Sequence, residues 1–197
     1  MVYNEKLKRE IPKGWEVVSI GSILGKIKST ARLATEEYLS IGLYPIIDQS
    51  TDKYFAGFTN KTDAALEEES VVVFGDHSCT VKYVNFPFVR GADGTQIMKS
   101  INPNISTEYL YFAVKGVKIG KGYARHFTFL KDSLIIVPNE KVAKNFSEIA
   151  SKIFKKITIH RKSNFLLTKQ RDELLPLLMN GQVSVMPTEV NCDLSHD

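Results

Sequence analysis

From Asn139 onward the chain carries apolar residues at one helical spacing, and no other feature limits its possible folds so tightly. Val142, Phe146, Ile149, Ile153, Ile157, His160, Asn164, Leu167, Arg171, Leu174 and Leu178 follow one another at steps of three or four, which keeps them on one face of an α-helix. Asn139, just after Pro138, stands where an N-cap belongs, because its short side chain can accept from a free first-turn amide. Pro176 is predicted to stop the regular helix, since it lacks an N–H and its ring clashes with the preceding turn. Beyond it, Asn180-Gly181 offers a left-handed cap. About 36 residues at 1.5 Å each make a helix of roughly 54 Å, more than a domain of ~125 residues can cover. Such a stripe asks for a partner. It could be the chain's own domain, packed on a slightly irregular helix, or another helix in a seam close to a coiled coil, where His160, Asn164 and Arg171 would set register. Length favours the second.

Ahead of this helix, short strand-like runs alternate with turns from Glu16 to Pro138. Tyr44–Asp48, Ser70–Phe74, Thr80–Val84 and Leu134–Pro138 are β-branched and aromatic, short, and bounded by Gly, Asp or Asn, which suits strands. One helix is predicted among them, with Ser106 as N-cap, Glu108 in its first turn and the apolar run Tyr109–Val114 behind. Residues 1 to 15 read as an irregular arm that ends in the turn Ile11-Pro12-Lys13-Gly14 and the aromatic anchor Trp15. No internal repeat of 20–50 residues is visible. The expected class is α+β, with a strand-rich domain over 1–138, one long helix over 139–180 and a disordered tail over 181–197.

The 197 residues, 43% apolar and 24% charged, suit one globular domain with an accessory element. No run approaches the roughly 18 apolar residues of a membrane span, and the N-terminus is too charged for a signal peptide. Cys79 and Cys192 are the two cysteines; they lie far apart, without zinc-site spacing and too few for a disulfide framework, so a cytoplasmic protein is expected. The net charge of +4 is unevenly placed. Asn139 to Asp172 holds nine Lys/Arg against three Asp/Glu, and Tyr109 to Lys131 holds Lys115, Lys118, Lys121, Arg125 and Lys131 with no acid. Concentrated positive charge suits a polyanion, but a solvated helix face and a basic loop look the same.

Catalytic motifs are absent or incomplete. Asp76-His77-Ser78-Cys79 groups an acid, an imidazole and a thiol in a turn. A Cys/His nucleophile pair needs contact built by the fold, and residues two apart on an extended chain do not ensure it. A loop histidine and a half-buried cysteine are the simpler reading, with a His/Cys hydrolase as the alternative. Gly21–Lys26 is one residue short of a phosphate loop and lacks Ser or Thr after the lysine, and Gly116, Gly120 and Gly122 lack dinucleotide-binding spacing. Asn85-Phe86-Pro87-Phe88 is similar to the base-flipping tetrapeptide of amino-methyltransferases, with Phe86 where that motif has its second proline.

Several fragments together resemble one family. They are Ile11-Pro12-Lys13-Gly14-Trp15, Tyr44–Ser50, Gly75-Asp76-His77, Gly91-Ala92-Asp93-Gly94, Arg125-His126 before Leu130, and the helix ending Gln170–Gly181. In this order and spacing the chain, over about residues 3 to 185, resembles one half of the specificity subunit of type I restriction–modification systems. The resemblance implies a target recognition domain that reads a DNA half-site and a long helix that pairs antiparallel with an equivalent helix. It also implies a homodimer or a missing second half, modification (methyltransferase) subunits and restriction subunits as partners, and no catalysis or cofactor in this chain. S-adenosylmethionine, ATP and Mg would belong to the partners. A specificity module of a combined type II enzyme is the related alternative. The helix would then span roughly 16 base-pair steps of 3.4 Å between half-sites.

The candidate DNA contacts are Lys26, Lys28, Arg32, Gln49, Ser50, Lys53, Lys118, Lys121, Tyr123, Arg125 and His126. Lysines suit phosphates, while Arg125 and Gln49 have the bidentate geometry for base edges. Arg90 beside Asp93 reads as a structural ion pair. The candidate helix-interface residues are Phe146, Ile153, Ile157, His160, Asn164, Leu167, Arg171, Leu174 and Leu175, divided between a partner helix and the chain's own domain.

Overall fold

A strand can be apolar at every position only when both of its faces are covered, and the run Val71–Phe74 is used in that way. A computed structural model describes residues 1–28, 30–68, 70–119 and 126–182. In chain order its first elements are β1 (Val2–Asn4), β2 (Arg9–Ile11), β3 (Glu16–Ser19), α1 (Ile20–Ile23), β4 (Tyr44–Ile47), β5 (Gly57–Thr59) and β6 (Ala65–Leu66). The remainder are β7 (Val71–Gly75), β8 (Val81–Val84), β9 (Phe88–Arg90), β10 (Thr95–Met98), α2 (Thr107–Gly116), α3 (His126–Asp132), β11 (Leu134–Val137) and α4 (Glu140–Met179). The four strand runs expected from the sequence are β4, β7, β8 and β11.

The contacts divide the chain into two compact units, Met1–Lys155 and Lys156–Asp197. In the first, β7 is the middle strand of the antiparallel sheet β10-β7-β8, and a second, mixed sheet has the order β5-β4-β9-β6 with β4 and β9 parallel. Side chains alternate across a strand, so Val72 and Phe74 enter a core with Ile20, Ile23, Met98, Leu110, Val114 and Leu130. Val71 and Val73 enter another with Ile47, Leu66, Val84 and Phe88. On the far face of the mixed sheet, Ile46 and Val89 pack with Leu33 and Ala64. β11 pairs with β3, which returns the chain to its start before the long helix.

The arm expected over residues 1–15 is not irregular. β1 and β2 form an antiparallel hairpin with Val2 opposite Ile11. The Asn4 side chain accepts from the amide of Leu7 at 3.1 Å and so builds the turn that folds the arm back. Both predicted caps form: the Ser106 hydroxyl accepts from the amide of Tyr109 at 3.2 Å, and Asn139 Oδ1 from the amide of Val142 at 3.0 Å.

Within the first unit, α4 packs through Ala143, Phe146, Ala150 and Phe154. Phe154 is 6% exposed, with its ring 4.1 Å from Tyr83, 5.4 Å from Tyr111 and 5.9 Å from Phe112 between centroids. Phe146 meets Tyr109 edge-on at 5.8 Å and Phe112 at 6.1 Å. Of the predicted stripe only Phe146 joins this face, while Val142, Ile149 (63% exposed) and Ile153 (52% exposed) point elsewhere. The helix therefore carries two apolar stripes, and the inward one consists of two buried alanines and the rings of Phe146 and Phe154.

In the second unit, Ile159, Leu166, Leu167, Leu174, Leu175 and Met179 are exposed, as are His160, Asn164 and Arg171, and Ile157 is half-buried. Arg171 pairs with its neighbour Asp172 at 2.6 Å. Pro176 does not end the helix, which runs on to Met179. Proline deprives the helix of one donor, but its own carbonyl still accepts, here from Asn180 at 3.0 Å. The end comes at Gly181, whose φ is +65°. Its amide reaches Leu178 O at 3.1 Å and that of Gln182 reaches Leu177 O at 2.9 Å, the paired bonds of a Schellman cap. No helix among the described residues is long and apolar enough to cross a membrane.

Candidate nucleic-acid interface

The pairing of the two sheets brings several loops to one end of the first unit. β4 and β9 are parallel, so their C-terminal ends, Ile47 and Arg90, lie side by side. β7 ends at Gly75 opposite Thr95, the first residue of β10. The loops leaving these strands therefore gather, and hydrogen bonds knit them together. The Gln49 carboxamide is used at both ends: Nε2 donates to Asp93 O at 2.9 Å, and Oε1 accepts from the amide of His77 at 3.2 Å. The amide of Asp76 donates to Gly94 O at 2.7 Å. His126 Nδ1 lies 2.7 Å from Asp76 O; since a carbonyl can only accept, this ring nitrogen carries the proton. The amide of Phe127, in the first turn of α3, donates to Asp76 Oδ1 at 2.7 Å. Gly94, with φ +81°, has no room for a side chain: a Cβ there would stand 2.7 Å from the His77 ring. Four of the sequence fragments, around Gln49, Asp76, Gly94 and His126, thus meet in space.

A buried cation holds the loop after β4 from below. Lys82 is 6% exposed and its Nζ donates to Lys53 O at 2.8 Å and Ser50 Oγ at 3.3 Å, with Asp48 Oδ1 3.8 Å away. The Ser50 hydroxyl donates to Asp48 Oδ1 at 2.6 Å, closing the turn. Tyr38 packs against this region, and burial, followed by the charge of Asp48, pushes its phenol up to about 12.

The candidate contacts fall into three groups. Arg32, Gln49, Ser50, Lys53 and His126 belong to the knitted cluster. Arg32 is held by Asp93 at 3.0 Å in a solvent-facing pair, a bond worth only about 0–1 kcal/mol and cheap to exchange for a phosphate. Asp93 thus takes Arg32 as its partner, not Arg90 as the sequence suggested. Arg90 reaches across its turn to Thr95 O and, at 3.4 Å, to Gln96 Oε1. Lys26, Lys28 and Lys118 are exposed and are not tied into the cluster by these bonds. Lys28 borders a surface depression with Asp63, Glu67 and Glu68, so acid outweighs base there. Lys121, Tyr123 and Arg125 lie outside the described residues.

Sequence reasoning missed Asp76, Lys82 and Asp93 as organisers. A lysine inside the otherwise apolar run Val81–Val84 was the available signal for Lys82, because an inward ammonium must find acceptors. Cys79 is half-buried with φ +55°. Burial, followed by the charge of Asp76, pushes its thiol above the usual range, opposite to what a nucleophile needs. Among the described residues no group of three or more His, Cys, Asp or Glu could hold a metal.

A family model described as "Type I restriction modification DNA specificity domain" matches residues 12–169. The type I restriction enzyme MjaIX specificity subunit of Methanocaldococcus jannaschii is 26% identical over 218 residues, covering 93% of this chain and 48% of that protein. This chain therefore spans about half the length of the curated relative it matches. Among solved structures it is similar to the type I restriction–modification S subunit from M. genitalium, with a TM-score of 0.56 at 19% identity, over 83% of this chain and 45% of that one. At that identity the likeness speaks for the fold.

Proposed function

The chain belongs to the type I restriction modification DNA specificity domain family, and from that premise we propose that it selects a short sequence in double-stranded DNA for partner subunits that do the chemistry. One observation carries this reading: four loops far apart in the sequence are locked into a single cluster at one end of the strand-rich unit. Base reading needs donors and acceptors held in fixed relative positions, and a knitted cluster supplies that rigidity. Arg32 and Lys53 contribute phosphate contacts within it, and exposed Lys118 would add one from outside the cluster. Selection from a random-sequence duplex pool tests the reading. Recovery of one short motif supports it, and recovery of unselected DNA refutes it. Binding should weaken with salt, with a log–log slope of about −0.9 for each phosphate neutralised.

The exposed apolar stripe of α4 serves assembly. Leu167, Leu174 and Leu175, together with polar His160, Asn164 and Arg171, would meet an antiparallel copy of the same helix. The pair would also offer a surface to modification and restriction subunits in the cytoplasm. S-adenosylmethionine, ATP and Mg would be bound by those subunits, and this chain would be non-catalytic. Leu174→Asp with Leu175→Asp is expected to convert a dimer to a monomer in sedimentation without loss of DNA binding by the single unit. A monomeric wild-type chain at micromolar concentration would refute the homodimer.

A further inference from the structure

We infer that Asp76 is the positioning residue of the loop cluster, which is a role beyond that of an ordinary turn residue; this rests on the DNA-reading function proposed above. The residue uses three polar groups toward two distant segments. Its amide holds Gly94 O at 2.7 Å and its carbonyl holds the His126 ring at 2.7 Å. Its carboxylate takes the amide of Phe127 at 2.7 Å. The carboxylate therefore caps α3 from fifty-one positions away in the sequence. Held in this way, the start of α3 is tied to the end of β7.

The consequence is geometric coupling. β7 is fully buried, so Asp76, the next residue, starts from a rigid base. Through it the 91–94 turn and the start of α3 share one reference frame. Gln49 then adds the loop after β4 to that frame through His77 and Asp93. Side chains on three loops can hold a constant spacing to successive base pairs only while this frame persists. Loss of the carboxylate should leave charge-driven attachment to DNA intact and remove discrimination between sequences, because phosphate contacts tolerate small displacements and base contacts do not.

The test compares Asp76→Ala with Asp76→Asn, which keeps an oxygen acceptor for the Phe127 amide. Hydrogen exchange on the full chain is the first arm. In Asp76→Ala the amide of Phe127 should exchange about tenfold faster, the effect of a lost cap, while Val72 and Tyr83 keep their wild-type protection. Asp76→Asn should restore the protection at Phe127. The second arm uses the duplex that the wild type enriches from a random pool, against a scrambled duplex. Asp76→Ala should lose about tenfold in affinity for the enriched duplex, the worth of one misplaced base contact, and keep its affinity for the scrambled one. Asp76→Asn should recover most of the preference. Equal losses on both duplexes, an Asn variant as poor as the Ala variant, or unchanged exchange at Phe127 would overturn the inference. If the wild type enriches no motif, the DNA-reading function fails, and the exchange arm still decides whether the carboxylate holds α3. Should Asp76→Ala not fold, Asp76→Leu, which keeps the side-chain volume and removes the acceptor for the Phe127 amide, takes its place in both arms, and a folded Asp76→Leu that discriminates like wild type overturns the inference.

Discussion

Substituting Phe154 and Ile153 separately tests the assignment of two stripes to α4, because these neighbours are expected to fail in different ways. Phe154 is 6% exposed and is enclosed by the rings of Tyr83, Tyr111 and Phe112. Its truncation removes a ring from a packed cluster and leaves a cavity, so Phe154→Ala should cost about 3–5 kcal/mol. Against a total stability of about 5–15 kcal/mol, that is a fifth or more. For a chain of this size it lowers Tm by about 6–20 °C. Ile153 is 52% exposed, so Ile153→Ala should cost under about 1 kcal/mol within one chain. Any further loss should depend on protein concentration, because in the proposed dimer the missing contact would belong to a second copy. The assay is urea denaturation followed by far-UV circular dichroism and the fluorescence of Trp15, the single tryptophan, at low and high protein concentration. Equal, concentration-independent losses in the two variants would refute the two-stripe assignment.

Other perturbations follow from buried charge and shifted groups. Lys82→Met leaves Asp48, whose side chain is 12% exposed, without its cation, and should cost about 3–5 kcal/mol in the same denaturation assay; a loss below about 1 kcal/mol would show that water replaces the ammonium. Tyr38 has its phenol pushed up from 10.0 to about 12, so the folded chain holds that proton more tightly than the unfolded chain. Its contribution is full below about pH 10 and is lost as pH rises toward about 12. Denaturation midpoints should therefore fall with pH over that window, less steeply in Tyr38→Phe. An identical slope in the two proteins would remove Tyr38 as the cause. Cys79, with its thiol raised by burial and by Asp76, should be alkylated by iodoacetamide more slowly than glutathione at about pH 8. Faster labelling at Cys79, read by peptide mass spectrometry, would contradict that environment.

Features decided within a few residues were legible in the sequence. Ser106 and Asn139 cap their helices because an N-cap needs only a short acceptor beside the first free amides. Gly181 closes α4 because only the left-handed region fits there. The strand runs at Tyr44, Val71, Val81 and Leu134 follow from their own β-branched and aromatic content. The hairpin over residues 1–11 was less visible, since its strands are short and largely exposed.

Pairings between distant segments were set by the tertiary structure alone. Periodicity along α4 marked an apolar face, but Phe154 turned inward because Tyr83, Tyr111 and Phe112 stand opposite it, and nothing within the helix announces those rings. Proline's local rule put the helix end at Pro176, and the Schellman bonds at Gly181 and Gln182 place it later. On sequence grounds Asp93 pairs with Arg90, but the bridge of Leu33 to Gly91 brings Arg32 to it instead. The sequence by itself therefore determined the longer elements and the caps of α2 and α4, because those depend on neighbours along the chain. The tertiary structure decided which face of the long helix is inside and which loops share a frame, because both depend on residues far apart in the sequence being brought together.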